Sequence, residues 1–595
     1  MPAPIVSQYD AIVVGTGFGG TIAAIALSAA SKKVLLIERG TFWITPETLG
    51  NPPPPDPQRP ALRDWAKAKG HPVQFWARPD NGRGIVNLLA ALRTDLNKRG
   101  LYQYSMFDEA HILTASGVGG GSLIYSNVNL QPMQEVLDRI GLGGLDFKKA
   151  RSFMERYRGK FNRVVTKIPL PGRDVSDLPA AEEYLYLDRS RALKRAAAEA
   201  SQTLGVAMPW APLDLSVVDY DPDPASASSK TRTFCERQGR CILGCLPAAR
   251  HTLNKTLYNR LLWDDGLGIT LSSLSEVREI RRTSVGYKVV YRDHRNDQEH
   301  EATAPMVFLG AGTLGTTEIL MRSANNGGLR LSPVLGCNFS TNGDFGAFAV
   351  GTRNAVYSTR GPINTSDVRF KLDGFHITIE DCGIPAMVAG VAKAGLDHIA
   401  NNTFQIWKAL WSLNPLANLG QLVAGLSVDD PRANQTEAEM VADIFFFNAM
   451  GQDEANGRFS FTNDKLDLRW DKPISKQPVF VAVEKALKTL SDKMGGRYVA
   501  LPTWEQLLGP RKLIVTHPLG GCPIGANIGT GAVDAFGQVF DGSVASRAST
   551  AVLPGLYVVD GAAIPGALAA NPTLTIAAQA IKTVEHAVAH PIPNL

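Results

Sequence analysis

Long hydrophobic runs are missing from this chain. Its 595 residues hold no uninterrupted apolar window of about 20 residues, so no transmembrane helix is expected. The first residues, MPAPIVSQYD, have neither a basic n-region nor a separate apolar h-region, which argues against a cleaved secretory signal. Cysteine is scarce: Cys235, Cys241, Cys245, Cys337, Cys382 and Cys522 are all there are. Without a signal, reduced thiols and a cytoplasmic location are the default. Neither sign of charge dominates, with 61 basic against 56 acidic residues and a net charge of +5. That balance, without long charged blocks, argues against a nucleic-acid binder. No repeat of solenoid period is visible. What remains is an ordinary globular composition, 44% hydrophobic and 20% charged, long enough for more than one domain.

The most informative stretch is Tyr9 to Gly40. Ala11 to Val14 is an apolar run that reads as a buried parallel strand. Gly15-Thr16-Gly17-Phe18-Gly19-Gly20 follows as G-x-G-x-x-G, then a helix rich in Ala, Ile and Leu, then a second apolar strand, Val34 to Ile37, ending at Glu38-Arg39-Gly40. This is the dinucleotide fingerprint in its strand–turn–helix–strand context. The glycines let a pyrophosphate approach the helix N-terminus, where unpaired N–H groups and the dipole favour an anion. Glu38 can accept hydrogen bonds from both ribose hydroxyls. An acid there disfavours a 2′-phosphate, leaving FAD or NAD rather than NADP.

Further along, Asn51-Pro52-Pro53-Pro54-Pro55-Asp56-Pro57 cannot be helix or central strand, so residues 42–105 read as a long excursion with short helices near Leu62–Lys67 and Val86–Leu92. A second glycine cluster, Ser116-Gly117-Val118-Gly119-Gly120-Gly121-Ser122-Leu123, permits close backbone approach to a flat ligand. Arg189 to Leu204 reads as helix. Strands are expected at Ile269–Leu271, Val277–Arg281, Tyr287–Tyr291 and Met306–Leu309, the last leading into Gly310-Ala311-Gly312 and a helix from Thr316 to Met321. Phe375 to Ile379 and Phe445 to Phe447 suggest a more antiparallel sheet. Residues 386–426, with Trp407 and Trp411, are apolar and helical, read as core with a lipid- or substrate-facing lid as the alternative. Leu556 to Val559 reads as strand and Thr573 to Ala589 as helix.

Four pieces in order resemble the glucose–methanol–choline (GMC) oxidoreductase family, most closely its cholesterol oxidase branch: the fingerprint; Gly117 to Leu123; Thr516-His517-Pro518-Leu519-Gly520-Gly521-Cys522; and Val559-Asp560-Gly561 with Ile564-Pro565-Gly566 and Asn571-Pro572-Thr573-Leu574-Thr575-Ile576. The resemblance implies an α/β fold with an α+β part. A Rossmann-like FAD-binding domain would be built from residues 1–150, 231–329 and 506–595. A substrate-binding domain with a mainly antiparallel sheet and covering helices would occupy residues 330–505, with 151–230 as a substrate or cap region. It implies FAD, contacted by Gly15, Gly17, Phe18, Gly19, Gly20, Glu38, Arg39, Gly117, Gly120, Gly121, Ser122, Val277, Gly312, Asp560, Gly561, Asn571, Pro572 and Thr573. His517 and Asn571 would face the reactive side of the flavin. A histidine titrates near neutral pH, and an asparagine donates and accepts without charge, which suits alcohol oxidation by hydride transfer to flavin N5. Glu380, within Thr378-Ile379-Glu380-Asp381-Cys382-Gly383, resembles the buried glutamate of cholesterol oxidases, a base that can also isomerise a steroid double bond.

The cysteine segment Cys235–Cys241–Cys245 departs from small secreted cholesterol oxidases. Packed or disulfide-forming thiols are one reading. The other is a [3Fe–4S] cluster, by similarity to bacterial FAD sugar dehydrogenases. Zinc would want a fourth ligand, with His251 nearby. The expected activity is oxidation of a bulky apolar secondary alcohol of 3-hydroxysteroid or terpenoid type, with oxygen or a partner protein as electron acceptor. The alternatives are a dehydrogenase feeding a quinone or cytochrome, and a non-oxidative flavin-dependent isomerase. Contact with a membrane surface stays open.

Overall fold

The computed structural model describes residues 9–42, 75–76, 101–158, 162–163, 187–217, 235, 237, 239, 241–243, 245, 249–257, 268–385, 441–505 and 510–592. The short helices expected near residues 62–67 and 86–92, and the apolar 386–426 stretch, lie outside these. The protein is a mixed α/β molecule with several sheets.

One six-stranded sheet runs in the order Gln538–Phe540, Val552–Val558, Met306–Leu309, Ala11–Val14, Val34–Ile37, Ile269–Ser272. The last five are parallel; Gln538–Phe540 pairs antiparallel at the edge. AIVV, VLLI and MVFL have no polar residue because every position is buried, with structure packed on both faces. The Phe18–Ala29 helix lies on one face and packs against the C-terminal helix Thr573–Ala589. The segments forming this sheet are thus separated by hundreds of residues along the chain.

A second six-stranded sheet is antiparallel throughout: Arg497–Ala500, Phe345–Val350, Ile444–Gly451, Phe375–Cys382, Asn364–Leu372 and Trp210–Pro212. Its strands alternate. Phe445 and Phe447 point into a core shared with the helices Asp188–Leu204 and Pro478–Lys493, while Phe446 points the other way. The Pro478–Lys493 helix starts with proline at its first turn and buries Val479, Val483, Ala486, Leu487 and Leu490, a helical stripe. Trp210–Pro212 joins the 187–217 stretch to this sheet. The meander Ser275–Thr283, Gly286–Asp293, Gln298–Ala304 and the four-stranded sheet built around Tyr102–Met106 and Ala110–Ala115 complete the frame.

Among the described residues no helix is long and apolar enough to cross a membrane. None of the six cysteines is joined in a disulfide.

Candidate active site

The Ala11–Val14 strand ends at Gly15, whose φ of +87° only glycine tolerates easily, and where a Cβ would lie 2.4 Å from the Gly310 carbonyl oxygen. The turn therefore lies tight against the end of Met306–Leu309. Gly120 of the second glycine cluster, φ +50°, packs on Gly17: a Cβ there would be 2.6 Å from Gly17 Cα. Thr16 ties the two together, its hydroxyl accepting from Gly119 N–H at 2.9 Å. Two glycine clusters about 100 residues apart so form one wall.

That wall belongs to a cavity of about 610 Å³. Of the residues expected at the cofactor, Gly15, Gly17, Phe18, Gly19, Glu38, Arg39, Gly120, Gly121, Val277, Gly312, Asp560, Gly561, Asn571, Pro572 and Thr573 line it. Gly20, Gly117 and Ser122 do not. Gly20 lets the helix sit on the strand, Gly117 accepts from the Thr16 hydroxyl, and the Ser122 hydroxyl donates to Gly119 O and accepts from Leu253 N–H. Val277 stands at a bulge between Val277 and Glu279 that interrupts its ladder. Asp560 accepts from Gly312 N–H, the Thr316 hydroxyl and Ala562 N–H at 2.8, 2.5 and 2.9 Å, and burial still pushes its carboxyl up to about 6. Glu38 differs from expectation. Thr16 donates its N–H and hydroxyl to Oε2 at 2.9 and 2.6 Å, and Gly40 N–H donates to Oε1 at 2.9 Å. With about four acceptor positions on a carboxylate, one is left, enough for a single ribose hydroxyl rather than two.

His517 and Asn571 stand in the same cavity wall. His517 Nδ1 is 2.8 Å from Asp344 Oδ1, and the backbone N–H groups of Thr516 and His517 donate to Asp344 Oδ2 at 2.7 and 2.8 Å. Burial alone would lower the imidazole pKa. The adjacent Asp344 carboxylate, its hydrogen bond and the more distant Glu380 reverse this and raise it. Asn571 is buried, and its Oδ1 has no hydrogen-bond partner among the described residues. A buried orphan acceptor facing a cavity fits a polar ligand there. Part of the lining is apolar: Phe348 stacked on Phe446 with centroids 4.6 Å apart, with Ile124, Ile242, Ile363, Ile384 and Cys382; Asn448, Gln103, Tyr102 and Tyr125 add polar groups to it.

Glu380 is fully buried and is not itself part of the cavity wall. Asn448, which is, donates Nδ2 to Glu380 Oε2 at 2.9 Å; Asn364 donates to the same oxygen, and Oε1 has no partner. Burial pushes the Glu380 carboxyl up to about 7, against the lowering effect of Asn448, His517 and Asn364; Asp367 across the strand pair raises it further.

Among the described residues, Cys235, Cys241 and Cys245 included, no group of three or more His, Cys, Asp or Glu is arranged so that it could hold an ion. Cys241 instead packs with Cys382 and Ile363, while Cys235 and Cys245 lean on the main core. The [3Fe–4S] alternative has no geometric support. Asp344, Asn364 and Asn448 were not legible as site residues, since each reaches its partner from a distant or neighbouring strand.

Residues 491–580 match the GMC oxidoreductase family model, a span that carries His517, Asp560 and Asn571. A curated cholesterol oxidase from Mycobacterium tuberculosis (strain CDC 1551 / Oshkosh) is 26% identical over 96% of this chain and 90% of its own length. One from Acinetobacter baumannii is 22% identical over 97% and 94%. In fold, the crystal structure of a pyridoxine 4-oxidase from "Mesorbium loti" superposes with a TM-score of 0.54 at 16% identity, covering 98% of this chain and all of that one. The family match over residues 491–580 and the similarity to cholesterol oxidases along most of the chain make this an FAD-dependent oxidoreductase acting on CH–OH groups, similar to the GMC oxidoreductases.

Proposed function

We propose that the enzyme oxidises a bulky apolar secondary alcohol of the 3-hydroxysteroid or terpenoid type, with oxygen as the electron acceptor. One observation carries this: His517 and the orphan Asn571 Oδ1 share a cavity that is also lined by the Phe348–Phe446 stack and by aliphatic side chains. A sugar would leave its hydroxyls facing that wall without partners. The similarity to cholesterol oxidases supports the substrate class and the acceptor.

FAD, when bound along the two glycine clusters, Glu38, Val277 and Asp560, supplies the acceptor for the carbinol hydride. The residues of this chain do the rest. His517 Nε2 takes the hydroxyl proton, and Asn571 Oδ1 orients the hydroxyl. The apolar wall excludes water and holds the ring system. Glu380, about half protonated near neutral pH and held by Asn448 of the wall, is the residue available to move a proton within the substrate once it is oxidised.

The test is anaerobic mixing of the holoenzyme with cholesterol, a smaller sterol, glucose and methanol, followed by flavin absorbance. Bleaching by the sterols is expected. If only glucose or methanol bleaches the flavin, the substrate class is wrong. Rapid reoxidation by air after bleaching is expected for an oxidase; slow reoxidation with fast dye reduction would make the enzyme a dehydrogenase.

A further inference from the structure

His517 and Asn571 are 54 residues apart in sequence, yet both are fastened to one turn. Ser340, Thr341, Asn342, Gly343 and Asp344 lead into the Phe345–Val350 strand. Asp344 holds the Thr516–His517 backbone and His517 Nδ1, as described above. Two residues earlier, Asn342 Oδ1 accepts from Leu568 N–H at 2.8 Å and Ala569 N–H at 3.0 Å, and its Nδ2 donates to Ala570 O at 2.9 Å. Those three residues immediately precede Asn571. Asn342 and Asp344 are both buried.

The turn is itself anchored. The Ser340 hydroxyl donates to Asp453 Oδ1, and Thr341 N–H and hydroxyl donate to Oδ2, each at 2.7 Å. Gly343, φ +62°, sits where a Cβ would be 2.3 Å from Gly451 O, so the turn lies directly against the Ile444–Gly451 strand that carries Asn448.

We propose that Asn342 and Asp344 are positioning residues that set His517 and Asn571 in one geometry, Asp344 by fixing the imidazole as its Nδ1–H tautomer and Asn342 by clamping residues 568–570. The inference rests on the roles proposed above for His517 and Asn571. The chemistry is that of a buried carboxylate behind a histidine base. The carboxylate accepts Nδ1–H, leaves the Nε2 lone pair toward the cavity, and stabilises the imidazolium formed when Nε2 takes a proton. The charged groups facing His517 are Asp344 and, farther away, Glu380. An uncharged group at position 344 keeps the shape and loses the stabilisation.

The experiment uses holoenzyme labelled with ¹³C,¹⁵N-histidine, comparing wild type, Asp344→Asn, Asn342→Ala and His517→Ala, the last assigning the His517 resonance. Wild-type His517 is expected as the Nδ1–H tautomer with a pKa above that of a free imidazole. In Asp344→Asn its proton affinity should fall about tenfold or more, and the Nδ1–H preference should be lost. Asn342→Ala should leave that titration unchanged. Anaerobic flavin reduction by cholesterol is then followed against pH. Asp344→Asn should move the rising limb to lower pH and lower the limiting rate about tenfold or more. Asn342→Ala should lower the rate with the limb in place. An Nε2–H tautomer in wild type, or an Asp344→Asn titration unchanged from wild type, overturns the role of Asp344 even if a variant folds poorly. An Asn342→Ala rate equal to wild type overturns the role of Asn342. If His517→Ala reduces flavin as fast as wild type, the proposed function itself is wrong, which no result on Asp344 alone could produce.

Discussion

At the scale of the residue, Glu380 is a carboxyl buried completely away from water. Its folded pKa of about 7 stands above its ordinary value of 4.5. Below pH 4.5 both folded and unfolded chains hold the proton. As pH rises from there the unfolded chain ionises first, so stability falls; above pH 7 the buried carboxylate is charged and the full cost is present. Gln at this position is neutral, and its oxygen can still accept from Asn364 and Asn448. Glu380→Gln should therefore leave the melting temperature unchanged near pH 4 and raise it at pH 8, by a stability gain of up to about 3 kcal/mol. Equal shifts at both pH values would show that ionisation of Glu380 is not the cause. The same variant tests the chemistry: unchanged oxidation together with unchanged isomerisation removes Glu380 from the mechanism. Sequence alone placed this residue at the end of an alternating strand, and its burial depends on Asn364 and Asn448 in the two neighbouring strands. Likewise Asp344 lies 173 residues from His517, and no local pattern marks it. His517 and Asn571 became visible only through family resemblance, because a lone histidine or an Asn-Pro pair has no distinguishing spacing.

At the scale of the element, legibility followed burial. AIVV, VLLI and MVFL read as strands because both faces are covered, and Thr573–Ala589 was legible to its ends because a polar-poor helix is buried along most of its length. QEHEATA, an exposed edge strand with no apolar alternation, was not. Of the three consecutive phenylalanines, alternation sends only Phe446 to the cavity. The hairpin of Arg458–Thr462 and Lys465–Arg469 was also missed. Its tip, Asn463 and Asp464, has φ of +53° and +59°, and Asp464 pairs with Arg278 and Arg322. Arg322, Glu318, Leu466 and Val277 all line one part of the cavity. The hairpin is thus tied across the end where Val277, one of the residues expected to contact FAD, lies. Asp464→Ala should release FAD about fivefold faster on dilution, read by flavin fluorescence. That corresponds to about 1 kcal/mol for partly exposed ion pairs, and Arg322 keeps Glu318 as a partner. An unchanged release rate would mean that the hairpin does not close this end.

At the scale of the whole molecule, the chain closes on itself. The strand Val552–Val558 lies inside the parallel sheet, paired through Leu556, Tyr557 and Val558 to Val307, Phe308 and Leu309, with Gln538–Phe540 on its other side. The following helix lays Leu574, Ala577, Ala578, Ile581 and Val584 into the core that also holds Ile22, Ala23 and Leu27 of the first helix. Asp560 and Asn571, between strand and helix, are cavity residues. A protein ending before Leu556 would lose an interior strand and leave one edge of Met306–Leu309 unpaired. It would also expose the apolar face of the first helix. At about 1.5–3 kcal/mol for each large apolar side chain, the loss exceeds the roughly 5–15 kcal/mol that holds a native domain together. The truncated chain should then bind no stoichiometric FAD and show no cooperative thermal transition, measured by flavin absorbance and by calorimetry. Stoichiometric FAD on a chain ending before Leu556 would mean that the glycine clusters near the N-terminus fold and bind without the strand that completes their sheet.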